Sequence, residues 1–437
     1  DPSVRDVILQ ALQEPEFQAW GNPSSIHWAG RRPKTILRET RQNLAKYFGV
    51  HPLELIFTSG GSESNNTVLR GVIHQQLLLG KNEVITTQLE HPSVLRTLQD
   101  LKMLYPDLQV HFLTIDLSGR FPFSELLSKL NSKTALVSIM AANNETGLLL
   151  PIPQITQMVH AAGALMHSDC VQIFGKMDLP LAAWGVDYAS ISAHKFYGLK
   201  GTGVLYVKKN KPFENLITGG GQERYRRGGT ENVLGILALG EMSKKLYCLS
   251  EKSEQMKILR DQMEDYILQN IPDVQVNHRS LTNECERLPN TSNLLISGID
   301  GETLLMSLDL KGFAVSTGAA CSSGNPEPSP VLLALGLTKA QAQTSLRISL
   351  GWSNTEEQIQ EFCQVLKSTV ERLRNLSKAE SQSVHSYSVN SPSVKAQTVA
   401  VHAAESQATE SQSISNDSAA QTVAVHAAES QATESQS

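Results

Sequence analysis

A chain of 437 residues with 40% hydrophobic and 19% charged side chains carries enough apolar material for a large core, in the proportions of an ordinary globular protein. Its 38 Lys and Arg against 43 Asp and Glu argue against a nucleic-acid partner, and the lack of any run of eighteen apolar residues argues against a membrane span. The five cysteines (Cys170, Cys248, Cys285, Cys321, Cys363) include no C-x-x-C pair, which speaks against a zinc site or a disulfide framework. With no signal-peptide pattern either, a cytoplasmic protein is expected.

Along the chain, strand-like and helix-like segments alternate. ELIFTSG (54–60), EVITTQLEH (83–91), VHFLTI (110–115), TALVSIMAANNETG (134–147), ALMHSD (164–169), DYASISAHK (187–195) and GVLYVKK (203–209) read as strands. Between them TILRETRQNLAKYFG (35–49) and PQITQMVHAAG (153–163) read as amphipathic helices. Such alternation predicts an α/β fold with a mostly parallel sheet, in which ligands sit beyond the C-terminal ends of the strands. The polar clusters SGGSESNN, LEHPS, NNETG, HSDCVQ and SAHK each follow a strand, so they are expected to converge on one site.

From about residue 250 a helical stretch (251–269) leads into short strands, the segment STGAACSSG (316–324) and LRISLGWSNTEEQIQEFCQVLKSTVERL (346–373). The expected division is a large domain over 15–248 and a smaller α+β domain over 1–14 and 249–378. The last 59 residues, 379–437, contain no Leu, Phe or Trp, one lysine and six acids. So little apolar area cannot offset chain entropy, and the tail is expected to be disordered. Removing it leaves a body of balanced formal charge. Within it AQTVAVHAAESQATESQS occurs at 396–413 and again, unchanged, at 420–437, either a tandem docking peptide for a partner or a duplicated linker.

The chemistry centres on SISAHK (190–195). A lysine at the end of an apolar strand is costly to bury charged, and one solution is to neutralise it as a Schiff base with pyridoxal phosphate (PLP). That cofactor needs a carboxylate for its pyridinium nitrogen, for which Asp169 is placed, and a hydrogen-bond partner for its ring oxygen, for which Gln172 is placed. SGGSES (59–64), a Gly–Ser turn opening a helix, suits the phosphate through its backbone and Ser62, with Ser192 and His194 adding contacts. His91 in LEHPS could stack on the ring. Each piece alone has a plainer reading, as a helix cap, a core histidine or a strand end. In this order they reinforce one another.

Together with SAHKFYGLKGTGVLYV, GGGQERYRRGGTEN, STGAACSSG and LRISLG, these motifs give a chain that resembles the cysteine desulfurases from about Gly21 to Arg372. These are fold-type I PLP enzymes of the class V aminotransferase superfamily, and the length between Cys321 and EPSPVL resembles the NifS/IscS-like group. The resemblance implies a fold-type I PLP-dependent transferase, with Lys195 as Schiff-base lysine and proton shuttle. It implies that Asp169, Gln172 and His91 hold the ring, and that Gly61, Ser62, Ser192 and His194 hold the phosphate. Thr230 would reach the phosphate of the neighbouring subunit in a homodimer, and Asn144 and Arg347 would bind the substrate carboxylate. The implied reaction converts L-cysteine to L-alanine through a PLP ketimine. The Cys321 thiolate takes the sulfur as a persulfide, with His91 nearby as proton acceptor or donor, and passes it to acceptor proteins such as an iron–sulfur scaffold. The small residues around Cys321 suit a tether that moves between cofactor and acceptor.

Members of that family carry a Y-L-D-x-x-A-T-T segment ahead of the position matching Asp1, near the substrate, so the chain as written is expected to hold PLP better than substrate. Cys170, in the place of a usual Ala, reads as packing. Three rival readings have distinct consequences. Selenocysteine lyase or cysteine sulfinate desulfinase chemistry would use the same scaffold. An ordinary aminotransferase would not need Cys321. A non-catalytic adaptor docking through the tail repeats would not need intact Lys195, Asp169, Cys321 and Arg347.

Overall fold

The computed structural model describes residues 1–13, 21–279, 286–317 and 327–389. All seven expected strands form: β1 (Leu55–Thr58), β2 (Glu83–Thr87), β3 (Gln109–Leu113), β4 (Thr134–Ser138), β5 (Leu165–Asp169), β6 (Tyr188–Ser192) and β7 (Gly203–Val207). They make one sheet in the order β1-β7-β6-β5-β4-β2-β3. The pairs β2–β3, β2–β4, β4–β5 and β5–β6 are parallel, and β7 runs antiparallel to both neighbours. The fold is therefore α/β with a mostly parallel sheet, as the alternation predicts.

Why the strands are so apolar follows from burial on both faces. Leu55, Phe57, Val204 and Tyr206 point into one core, while Ile56, Leu205 and Val207 point into the other. Helices α1 (Pro2–Gln13) and α2 (Trp28–Phe48) cover the first face, with the helix Val233–Ser243. Helices α3 (Gly61–Leu77) and α4 (Pro92–Leu104) cover the second. In the middle of the sheet the buried His167 imidazole bridges Ser138 Oγ at 2.8 Å and Ser190 Oγ at 3.0 Å, and burial lowers its pKa to about 3. It is thus a neutral cross-link between β4, β5 and β6.

A three-stranded antiparallel sheet, β10-β9-β8, comprises β8 (Val274–Val276), β9 (Thr291–Ile296) and β10 (Ser345–Ser349). It packs with Met263 and Ile267 of the helix Leu249–Asn270 and with Leu366 and Val370 of the helix Glu356–Val389. Val4 and Ala11 of α1 lie in the core of the large sheet, because the apolar stripe of that helix packs on the helix Val233–Ser243. Val331, Leu332, Leu335 and Leu337 also return to the large core. Residues 1–382 form one compact unit. The helix Glu356–Val389 extends past the limit drawn at 379 from composition. The repeats at 396–413 and 420–437 lie outside the described residues. No helix among the described residues is long and apolar enough to cross a membrane.

Candidate active site

The strand-end clusters do converge. A cavity of about 210 Å³ opens at the C-terminal ends of β2, β4, β5 and β6. Its wall includes Gly61, Ser62, His91, Asn144, Asp169, Gln172, Ser192, His194, Lys195 and Arg347, which are the sequence-derived site residues apart from Thr230 and Cys321.

One end of the cavity is the start of α3. Gly60 caps the helix at φ +154°, a conformation open essentially to glycine alone, and the turn lets the backbone approach a ligand closely. A Cβ on Gly61 would lie 2.5 Å from Val171 Cγ2. The opening N–H groups of α3 and the hydroxyls of Ser62 and Ser192 make an anion site. His194 Nδ1 meets Ser192 Oγ at 2.8 Å, and burial, then the Lys195 and Lys200 cations, lower its pKa. The turn is tied to GGGQERYRRGGTEN by a forked ion pair, Arg227 Nε and Nη2 donating to Glu63 at 3.0 and 3.2 Å. Thr230 itself is exposed and does not line this cavity.

The middle of the cavity holds Asp169, buried at the end of β5. It accepts from the Val171 amide at 2.9 Å and from Asn65 Nδ2 at 2.7 Å. Burial raises the pKa of this carboxyl against the pull of those two hydrogen bonds and nearby His91, so a cation placed beside it would stabilise its charged form. Asn65 also donates to Ser93 Oγ at 2.9 Å. Ser93 in turn lies 2.8 Å from His91 Nδ1, which accepts the Ser93 amide and caps α4. Burial lowers the His91 pKa; Asp169 pulls it up and Lys195 pushes it further down.

Lys195, in the turn just after β6, points into the cavity, and burial, then Arg347, lower its pKa. Arg347 on β10 forms the opposite end. Its Nη1 donates to the Asn144 carbonyl at 3.0 Å, and its buried Nε has no hydrogen-bond partner among the described residues. Neighbouring Glu145 is buried. It accepts from Ser329 Oγ at 2.5 Å, and burial, offset by Ser329 and Arg347, raises its pKa to about 7.

Cys321 lies outside the described residues, but both flanks of its segment are fixed on this wall. Upstream, Ser316 pairs with Arg347 through two backbone hydrogen bonds of 3.0 and 2.6 Å. Downstream, Ser329 caps the helix Pro330–Ala334 and holds Glu145. Sequence reasoning missed Asn65, Ser93 and Glu145, although each stands inside a motif it singled out. It also missed Glu90, buried beside His91, which accepts the Met140 amide and whose pKa is pushed up to about 8 by burial.

The residues fit PLP on this structure's own terms. A helix start with hydroxyls suits its phosphate, a buried carboxylate its pyridinium nitrogen, and a depressed lysine its aldehyde. The Arg347 guanidinium, lining the cavity with its Nε unpartnered among the described residues, suits a substrate carboxylate.

Comparison with known proteins decides the family. The class-V aminotransferase family matches residues 3–362. A cysteine desulfurase of Nostoc sp. is 40% identical over 378 residues, covering 86% of this chain and 92% of the relative. The chain belongs to the cysteine desulfurases of the class-V aminotransferase family. A cysteine desulfurase IscS of Clostridium botulinum is 38% identical over 377 residues, covering 86% and 93%. A solved NifS-like protein superposes with a TM-score of 0.77 at 35% identity, over 85% of this chain and 96% of that one. The large parallel sheet with a smaller module is thus the architecture of NifS-like enzymes.

Proposed function

We propose that this cysteine desulfurase takes the sulfur of L-cysteine onto Cys321 as a persulfide and releases L-alanine, with PLP held in the cavity described above. When bound, PLP supplies an electron sink that labilises the Cα–H bond and then the Cβ–S bond of the amino acid. The start of α3, with Ser62, Ser192 and His194, would hold its phosphate. Asp169, braced by Asn65 and the Val171 amide, would keep the pyridine nitrogen protonated, and Gln172 and His91 would hold the ring.

Lys195 would anchor the cofactor until substrate displaces it, then remove the proton at the substrate Cα. Its lowered pKa favours this role, since a neutral amine is needed to accept a proton. Arg347 and Asn144 would grip the substrate carboxylate and so direct the substrate Sγ toward the wall where Ser316 and Ser329 fix the two flanks of the Cys321 segment. There the Cys321 thiolate would attack that sulfur. An S–S bond forms as the Cβ–S bond breaks, the electron pair stays with Cβ, and protonation of Cβ gives alanine. His91, on the cavity wall, would exchange protons with the thiol. The persulfide would then pass to a sulfur-acceptor protein such as an iron–sulfur scaffold. A homodimer, in which Thr230 reaches the neighbour's phosphate, and a cytoplasmic setting complete the reading.

The convergence of Lys195, Asp169, the start of α3 and Arg347 on one cavity carries this proposal. Its test is Lys195→Ala. The variant should still fold and bind PLP weakly without the parent's visible band, and release no alanine from L-cysteine. Alanine release at the parent's rate would overturn the assignment.

A further inference from the structure

One charged side chain beside the cavity has no part in the chemistry above. Lys176 stands behind the cavity wall, four residues after Gln172, and its ammonium donates to Gln172 Oε1 at 2.8 Å. Gln172 is that ammonium's one hydrogen-bond partner among the described residues, and no carboxylate lies within ion-pair distance. The charged groups acting on it are Lys195, after β6, and Arg347, on β10, both cations. Burial and those two charges lower the Lys176 pKa to about 7. A cation set among cations without an acid works against stability, so its position calls for another explanation.

The backbone around Lys176 is fixed. Gly175 sits at φ +74°, and a Cβ there would lie 1.8 Å from the Phe196 ring, next to Lys195. The Lys176 amide donates to the Ile173 carbonyl at 3.0 Å, and its own carbonyl accepts from Ser253 Oγ on the helix Leu249–Asn270. The side chain is therefore delivered to one place.

Its effect on Gln172 follows from donor and acceptor chemistry. In its protonated form Lys176 can only donate, so it engages the amide oxygen and leaves the NH₂ group for the cavity. A free glutamine would present either end.

We propose that Lys176 is a positioning residue: it locks the Gln172 amide with its NH₂ toward the cavity, as a donor to an oxyanion on the ring bound above Asp169. This rests on the reading of the cavity as a PLP site. With the lock in place, Gln172 would offer the ring oxygen of bound PLP a donor that does not rotate away.

The test compares the parent with K176M, K176R, Q172L and K176M/Q172L, each titrated with PLP and then with pH while the visible band of the bound cofactor is followed. Losing the lock frees the Gln172 amide to turn its donor away, which stabilises the protonated form of the bound cofactor. K176M should therefore raise the pH midpoint of the band by roughly half a unit to one unit and weaken PLP binding about three- to tenfold. K176R should stay near the parent, and K176M/Q172L should match Q172L. An unchanged midpoint in K176M, or an equal rise on adding K176M to Q172L, overturns the inference while leaving the PLP site intact. If K176M fails to fold, K176Q takes its place, since an amide there can donate or accept and gives no lock: a raised midpoint supports the lock and an unmoved one refutes it. A parent chain that binds no PLP would overturn both this inference and the reading beneath it.

Discussion

Replacing Arg41 by Met should destabilise the protein strongly at pH 8 and much less at pH 5. Arg41 on α2 and Glu223 in GGGQERYRRGGTEN form an ion pair of 2.5 Å, with the two side chains only 8% and 1% exposed. The second Glu223 oxygen accepts the Phe57 amide of β1 at 3.1 Å, and the guanidinium lies 4.6 Å from the centre of the Phe57 ring. The pair thus holds the segment leading to Thr230 against the sheet. There Glu223, Arg224 and Tyr225 are three successive non-glycine residues at φ 45°, 58° and 63°, a strained run that persists only while its surroundings fix it.

Burial already raises the Glu223 carboxyl, with Arg41 the largest opposing influence and the Phe57 amide next. Without Arg41 it would be a buried charge stripped of its ion-pair partner, with Arg224, Arg226 and Arg227 acting on it only through space, at a cost of about 3–5 kcal/mol. The sign with pH follows. Removing Arg41 lifts the folded-state pKa further above the unfolded value of about 4.3. A raised acid favours folding at pH values below its unfolded pKa, and that contribution is lost as pH climbs through the folded value. The loss in R41M relative to parent should therefore be small near pH 5 and complete near pH 8. Urea denaturation at fixed protein concentration measures it, and E223L combined with R41M should recover most of the deficit. A cost below about 1 kcal/mol at pH 8, or one equal at both pH values, would refute the reasoning.

Three further outcomes are expected. Gly61→Ala forces Val171 to move out of a 2.5 Å contact at the anion end of the cavity, so PLP titration should show binding weakened about tenfold or more, with a small change in apoprotein melting. Arg347→Lys loses the planar fork, and steady-state kinetics should show KM for L-cysteine rising about tenfold with a smaller change in kcat; the reverse pattern would count against carboxylate binding. Glu145, raised to about 7, contributes stability below its unfolded pKa that is lost as pH rises to 7, on the order of 3 kcal/mol. Glu145→Gln should flatten that decline in denaturation curves taken from pH 4.5 to 8.

The large sheet was legible because its strands are buried on both faces and stop at Gly, Ser, His or Asp clusters. ALMHSD and DYASISAHK each show the change from apolar run to polar end that marks where β5 and β6 finish. Residues that touch the site directly stand at those ends and could be nominated by type. Supporting residues were harder to find. Asn65 braces Asp169 from 104 positions away, a relation visible only once α3 lies beside β5. A signal existed, since Asn65 falls on the same helical face as Gly61 and Ser62. The place of α1 was hard to read for a different reason: its apolar stripe does not name its partner, and packing on the helix Val233–Ser243 sets it in the core of the large sheet.

The central claim is that sulfur leaves L-cysteine through Cys321. The direct measurement is a single turnover of PLP-loaded parent and Cys321→Ala with L-cysteine, assaying alanine by chromatography and protein-bound persulfide by mass spectrometry. The account predicts one alanine and one persulfide per parent subunit, with the persulfide on the peptide containing Cys321, and neither product from the variant despite normal PLP binding. Alanine and released sulfur from Cys321→Ala at the parent's rate would contradict it.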